Sequence, residues 1–200
     1  MSNSVVVIDN FYKTGPYEEL FKELHSHKFK YFWGDMSGSL YWNSQIDVTD
    51  NDPLSKLVDD HWNQFKNKFS KVGTLGRIYI NGQTYGLEPG PHYDHTEKDA
   101  VTVVNYITDS WNATWGGETV LYDNFSSKET YGPSYVEKVL KSSLRIDEAV
   151  LPAYNRILLF PANQLHVAKP LGRFFPGIRC TLMYKLTGLT VEELMEGYKS

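Results

Sequence analysis

The chain has 200 residues, of which 41% are hydrophobic and 22% charged, with a formal net charge of −4. A chain of this size and balance forms roughly one globular domain, which excludes a disordered polymer, a collagen-like fibre and a coiled coil. No stretch approaches the ~20 uncharged apolar residues of a membrane span, no global positive field recruits nucleic acid, and the single cysteine, Cys180, excludes an internal disulfide and a multi-thiolate metal site.

In chain order, the opening run VVVI lacks the basic residues that precede a secretory apolar core and reads as a strand, Val5 to Ile8. With one cysteine, that predicts a reducing, cytoplasmic setting. Pro16 to His27 reads as a helix with Leu20, Phe21 and Leu24 on one face. A second helix is predicted over Asp52 to Phe69, with Asp52 as cap and Pro53 in the first turn. From residue 74 the texture becomes β: TLGRIYING, AVTVVNYIT, GETVLYD, NRILLF, QLHVAK and IRCTLMYKL are short β-branched or aromatic runs separated by turn residues. Ser126 to Ala149 reads as a charged insertion with a short helix near Ser134 to Leu140. Thr190 and Glu193 form a capping-box pattern that opens a terminal helix. The expected organisation is therefore mainly β (α+β): a helical support region over 1–72, a β-core over 73–187 and a C-terminal helix over 188–200. Aromatics are abundant, with 14 Tyr, 10 Phe and 5 Trp, which suits either a bulky β core or an aromatic-lined pocket.

The densest polar cluster is PGPHYDHTEKD. In extended chain, residues i and i+2 share a side, so His92 and Asp94 present an imidazole and a carboxylate together while His95 points away. Taken alone, H-x-D also suits a turn with a local Asx hydrogen bond. A facial metal site needs a third ligand, and His166 is the one histidine after position 95, so it is almost forced if the pair binds metal. Two histidines and one carboxylate leave three positions of an octahedral ion open, as in non-haem Fe(II) oxygenases. By itself His166 reads equally as a core histidine bonded to the backbone.

The order of features around the pair decides between these readings: R-I-Y-I-N-G-Q-T-Y-G upstream, then W-G-G-E-T-V-L-Y, P-A-Y-N-R-I-L-L-F, H-V-A-K-P and R-C-T-L-M-Y-K. Over roughly residues 75 to 187 this sequence resembles the Fe(II)/2-oxoglutarate-dependent dioxygenases of the prolyl 4-hydroxylase-like branch. The resemblance implies a double-stranded β-helix, or jelly-roll, with N-terminal supporting helices. It implies His92, Asp94 and His166 as iron ligands, and Fe(II), 2-oxoglutarate and O2 as cofactors, with ascorbate as an accessory reductant. Arg179 is implied as the partner of the far carboxylate of 2-oxoglutarate, with Tyr79 and Thr119 at the same end and Thr181 sharing the face of Arg179. Tyr85 ranks below Tyr79.

Two departures stand out. The branch usually places its basic residue about ten positions after the distal histidine, often as lysine, whereas Arg179 lies thirteen after His166. An insertion in G-R-F-F-P-G accounts for this, and Arg173 within that turn is the rival. The loop from Gly86 to Pro91 is longer than in collagen-type enzymes, which weakens any transfer of substrate identity. Trp111 and Trp115 line a substrate mouth or pack in the core, and Cys180 is expected as a buried filler.

The expected activity is hydroxylation of a C–H bond, of a peptidyl proline first and of a free amino acid or small metabolite second. Asp94 disfavours halogenation, and R-C-T-L-M-Y-K lacks the alternating pattern of nucleobase-repair relatives. A peptide or small-molecule substrate is thus expected, with no nucleic acid and no membrane, acting as monomer or homodimer. A non-catalytic jelly-roll binding module and a hydrolytic zinc site are the competing classes.

Overall fold

The structure is a computed structural model and describes residues 5–26, 30–34, 39–123, 125 and 133–199. Its centre is a seven-stranded antiparallel sheet in the order β1-β8-β5-β10-β4-β3-β2, facing a three-stranded sheet in the order β7-β6-β9. The strands of the large sheet are β1 (Val6–Ile8), β2 (Lys30–Gly34), β3 (Ser39–Ile46), β4 (Thr74–Gln83), β5 (Ala100–Ile107), β8 (Arg156–Pro161) and β10 (Arg179–Thr187). The small sheet is built from β6 (Thr119–Tyr122), β7 (Ile146–Val150) and β9 (His166–Ala168). This is the expected two-sheet, mainly β architecture.

Period-two alternation divides the long strands between two environments. On β10, Cys180, Leu182, Tyr184 and Leu186 join Ile78, Ile80, Val101, Val103, Ile157 and Leu159 on the outer face of the large sheet. Helices α1 (Thr14–Ser26) and α2 (Pro53–Asn67) cover that face with Tyr17, Leu20, Leu24, Val58, Trp62 and Phe65. The other parity faces inward: Tyr79, Val104, Tyr106, Leu158, Phe160 and Met183 meet Leu121 and Val150 of the small sheet. Arg179, Thr181 and Lys185 share that inner parity on β10.

The predicted caps form. The Asp52 carboxylate accepts from the amides of Leu54 and Ser55 at 3.0 and 3.2 Å, and Thr190 with Glu193 makes the reciprocal box that starts α4 (Val191–Glu196). Helix α1 is described to Ser26; His27, the expected last residue, lies outside the described residues, as do 126–132 at the start of the expected insertion.

The structure adds three strands. β2 and β3 lie in the stretch read as helical support and extend the large sheet beyond β4. β7 lies inside the stretch read as irregular, where Asp147 and Glu148 mask its strand character because they sit on an exposed edge. Helix α3 (Pro133–Lys141) fits the expected short helix and packs Tyr135 and Val139 on Val120, Tyr122, Leu165 and Val167, the outer face of the small sheet. Among the described residues no helix is long and apolar enough to cross a membrane.

Candidate active site

His92 and His166 are joined by a reciprocal backbone pair: the His92 amide donates to the His166 carbonyl at 2.9 Å and the His166 amide to the His92 carbonyl at 3.0 Å. The amides of Asp94 and His95 both donate to the Ala162 carbonyl at 3.0 Å. Helix α3 steadies the approach, since the Tyr135 hydroxyl donates to the Pro91 carbonyl at 2.9 Å. The two imidazoles thereby come to ring centroids 4.4 Å apart.

One ligand atom each from His92, Asp94 and His166 lies within 4.8 Å of the others. The second nitrogens of both rings are already committed: Nδ1 of His92 sits 2.9 Å from the Gly90 carbonyl and Nδ1 of His166 3.0 Å from the Gln164 carbonyl. A carbonyl accepts only, so each Nδ1 carries the proton and each Nε2 presents its lone pair. Those Nε2 atoms face the Asp94 oxygens at 3.8 and 3.3 Å. This donor set fits a divalent ion with open coordination positions. His95, expected to point away, is exposed.

The Asp94 carboxylate is buried. Its Oδ2 accepts from the Thr102 hydroxyl at 2.6 Å and from the Lys185 ammonium. Burial works to raise the Asp94 pKa, but Lys185 and His166 outweigh it and hold the carboxyl well below the usual range. Desolvation, with His166 adding, lowers His92 to about 4, so the ring is neutral at pH 7 and able to bind metal. Lys185 is lowered by its own desolvation, against the pull of Asp94.

Arg179 and Lys185 are six residues apart on one strand face, about 20 Å along the sheet. At the Arg179 end a second polar group assembles. Arg179 is 4% exposed; its Nη2 donates to the Thr119 hydroxyl at 3.2 Å, and its guanidinium lies 5.3 Å from the Tyr106 ring centroid. The Tyr106 hydroxyl donates to Thr119 Oγ1 at 2.7 Å. Arg179 Nε has no partner, and among the described residues no carboxylate lies in ion-pair range of this cation. Desolvation lowers the Arg179 pKa, with Tyr106 opposing. A buried guanidinium held only by neutral groups is costly unless an anion completes it, which fits the far carboxylate of 2-oxoglutarate.

Gly117 lets this end close. Its φ is +78°, and a Cβ there would stand 2.8 Å from Leu171, 3.0 Å from Trp111 and 3.2 Å from Arg179 Cδ. Trp111, Trp115 and Phe175 pack mutually with centroids 4.9–5.5 Å apart.

The remaining expected residues are placed as follows. Thr181 is buried between Arg179 and Met183 on the inner parity. Tyr79 also faces inward, but its ring neighbours the Arg77 guanidinium at 4.7 Å and the Lys185 ammonium at 5.6 Å. Tyr85 is 62% exposed. Arg173 is exposed and stacks on Phe174 at 4.8 Å, whereas Arg179 is interior. Sequence reasoning missed Tyr106, Thr102 and Lys185. All three share the inner parity of β5 and β10, so their alternation with the apolar outer residues was the available signal.

A family model described as the 2OG-Fe(II) oxygenase superfamily matches residues 78–183, and the chain belongs to that superfamily, whose cofactors are Fe(II) and 2-oxoglutarate. No curated protein matches by sequence. Among solved structures, a Pseudomonas putida prolyl-4-hydroxylase is similar with a TM-score of 0.62 at 12% identity, covering 94% of each chain. A Trichoplax adhaerens prolyl hydroxylase in complex with a hypoxia inducible factor peptide gives 0.59 at 16%, covering 99% of this chain and 89% of that one. HygX from Streptomyces hygroscopicus, solved with nickel, 2-oxoglutarate and hygromycin B, gives 0.62 at 12%, covering 95% and 84%. The fold is thus that of the prolyl hydroxylases, the branch the motifs resemble, and it is shared with a structure that has hygromycin B bound.

Proposed function

We propose that this chain is an Fe(II)- and 2-oxoglutarate-dependent oxygenase that hydroxylates a C–H bond. The observation that carries the reading is the pairing of two polar sites on one barrel interior. One is the His92–Asp94–His166 triad with both Nε2 lone pairs presented. The other is a buried guanidinium with an unpartnered Nε. When bound, Fe(II) and 2-oxoglutarate supply O2 activation, with the keto acid converted to succinate and CO2.

The residues of the chain do the rest. His92 and His166 offer Nε2. Thr102 and Lys185 hold Asp94 Oδ2, which orients the carboxylate and leaves Oδ1 on the His92 side. Arg179 grips the far carboxylate through its fork of N–H donors, with Thr119 and Tyr106 beside it and Thr181 on the same face. Tyr79 lines the chamber from β4. Val104, Leu121, Leu158, Phe160 and Met183 exclude water from the space between the two ends.

Of the expected substrates, peptidyl proline rests on the likeness in fold, whereas a small free acid has support from two cationic side chains beside the triad, Arg77 and Lys185. The test is turnover: purified protein with Fe(II) and 2-oxoglutarate releases succinate, and His166→Ala and Asp94→Ala abolish that release. Metal-loaded protein that neither binds nor consumes 2-oxoglutarate would overturn the reading in favour of a binding module.

A further inference from the structure

The metal end of the barrel carries more positive charge than the triad uses. Arg77 on β4 and Lys185 on β10 are direct register partners, and both side chains lie against the Tyr79 ring. Like charges opposite one another on a sheet face repel, so an anion placed between them would be favoured. Asp94 and Thr102 offset Lys185 in part. An ammonium has three N–H donors, and Lys185 directs Nζ to Asp94 and Thr102, which leaves one donor over. Arg77 is exposed and lies over the Tyr79 ring, and among the described residues it has no hydrogen-bond or ion-pair partner. Fe(II) and the 2-oxoglutarate dianion cancel in charge, so loading the site leaves the surplus in place.

We propose that Arg77 and Lys185 form a subsite for a carboxylate of the substrate, and that the substrate is a small free acid such as an amino acid. The inference rests on the oxygenase reading above. Three features support it. The guanidinium is laid on an aromatic face, which fixes its fork for a carboxylate. The ammonium touches Asp94, so an anion held there lies beside the triad. A carboxylate anchored that close leaves only a few bonds between the anchor and the carbon that meets the metal, a spacing that a free acid provides and an unmodified prolyl backbone does not.

The test uses the full chain loaded with Mn(II) and 2-oxoglutarate under nitrogen. The probes are the free L-amino acids, their primary carboxamides, and paired Glu- and Gln-containing prolyl tetrapeptides, read by ligand-observed NMR and titration calorimetry. At least one free acid is expected to bind about tenfold or more tighter than its carboxamide, the ratio a charge-assisted hydrogen bond supplies. Arg77→Gln brings that ratio close to one, Arg77→Lys restores part of it, and Lys56→Gln on exposed α2 leaves it intact, which separates the subsite from bulk charge. The proposal is overturned if acid and carboxamide bind alike, if the ratio survives Arg77→Gln, or if peptides bind and no free acid does. Failure of the wild-type protein to bind 2-oxoglutarate is a separate result, read before any probe is added, and would remove both readings together.

Discussion

Arg179 gives a prediction whose two halves have opposite sign. Replacing it with Met keeps the length and apolar stem and removes the charge. The guanidinium is 4% exposed, bonded to Thr119 and stacked on Tyr106, with Nε unsatisfied and no carboxylate partner among the described residues. An unsatisfied buried polar group costs about 1–3 kcal/mol, and replacing a buried charge by an apolar side chain of similar volume often stabilises. Arg179→Met is therefore expected to raise stability without ligand by about 1–3 kcal/mol, which is roughly 3–9 °C in Tm for a chain of this size. With Mn(II) and 2-oxoglutarate the ligand-induced gain falls mainly on wild type, which narrows or overturns that lead. Wild type at a hundredfold excess over Kd gains about 2.7 kcal/mol from the ligand. The variant loses about 2–5 kcal/mol of binding, a weakening of thirtyfold or more. Differential scanning fluorimetry on both proteins, with and without 2-oxoglutarate, reads all four values. A variant that melts lower than wild type without ligand and keeps the ligand-induced shift would refute the assignment of Arg179 as an anion clamp.

Two further outcomes follow from the geometry. His61 is buried, its Nδ1 lies 3.1 Å from the Leu57 carbonyl and its Nε2 has no partner; burial lowers its pKa from 6.5 to about 4, with the Leu57 bond opposing. The unfolded chain binds the proton first, so this contribution is complete above pH 6.5 and is lost as pH falls toward 4, up to about 3 kcal/mol. Urea unfolding at pH 7 and pH 4.5 should show a smaller pH-dependent loss for His61→Leu than for wild type, and equal losses would count against it. Gly117→Ala places a methyl against Leu171, Trp111 and Arg179 at a positive φ; it should cost about 1–3 kcal/mol and weaken 2-oxoglutarate binding by displacing the clamp, and a variant with unchanged melting and affinity would contradict the packing.

Much of this architecture was readable in one dimension because its signals are local. Asp52–Pro53 and Thr190–Glu193 state where helices begin, and β-branched runs bounded by turn residues state where β4, β5, β8 and β10 lie. The clustering of His92, Asp94 and His166 was legible for a different reason: H-x-D sets two of them side by side by spacing, and, if that pair binds metal, the histidine inventory leaves one candidate to join them. Tyr106, Thr102 and Lys185 escaped because their role depends on which of two alternating faces turns inward, a tertiary fact. Tyr79 shows the converse. Its inward parity was readable, but the register of β4 on β10 sets it against Arg77 and Lys185, while Tyr106 on the opposite neighbour stands beside Arg179. β7 was hidden because edge position lets acidic residues occupy a strand.

The reciprocal amide–carbonyl pair between positions 92 and 166 has a bearing on how an ion would be acquired. Peptide groups join the two segments that carry the rings, and the neighbouring amides at 94 and 95 are moored on a single carbonyl at 162. A metal held there would meet a frame tied together by the backbone, unlike small domains that fold only around their metal. Removal of an ion by a chelator is therefore expected to leave the pairing between these two backbone segments in place.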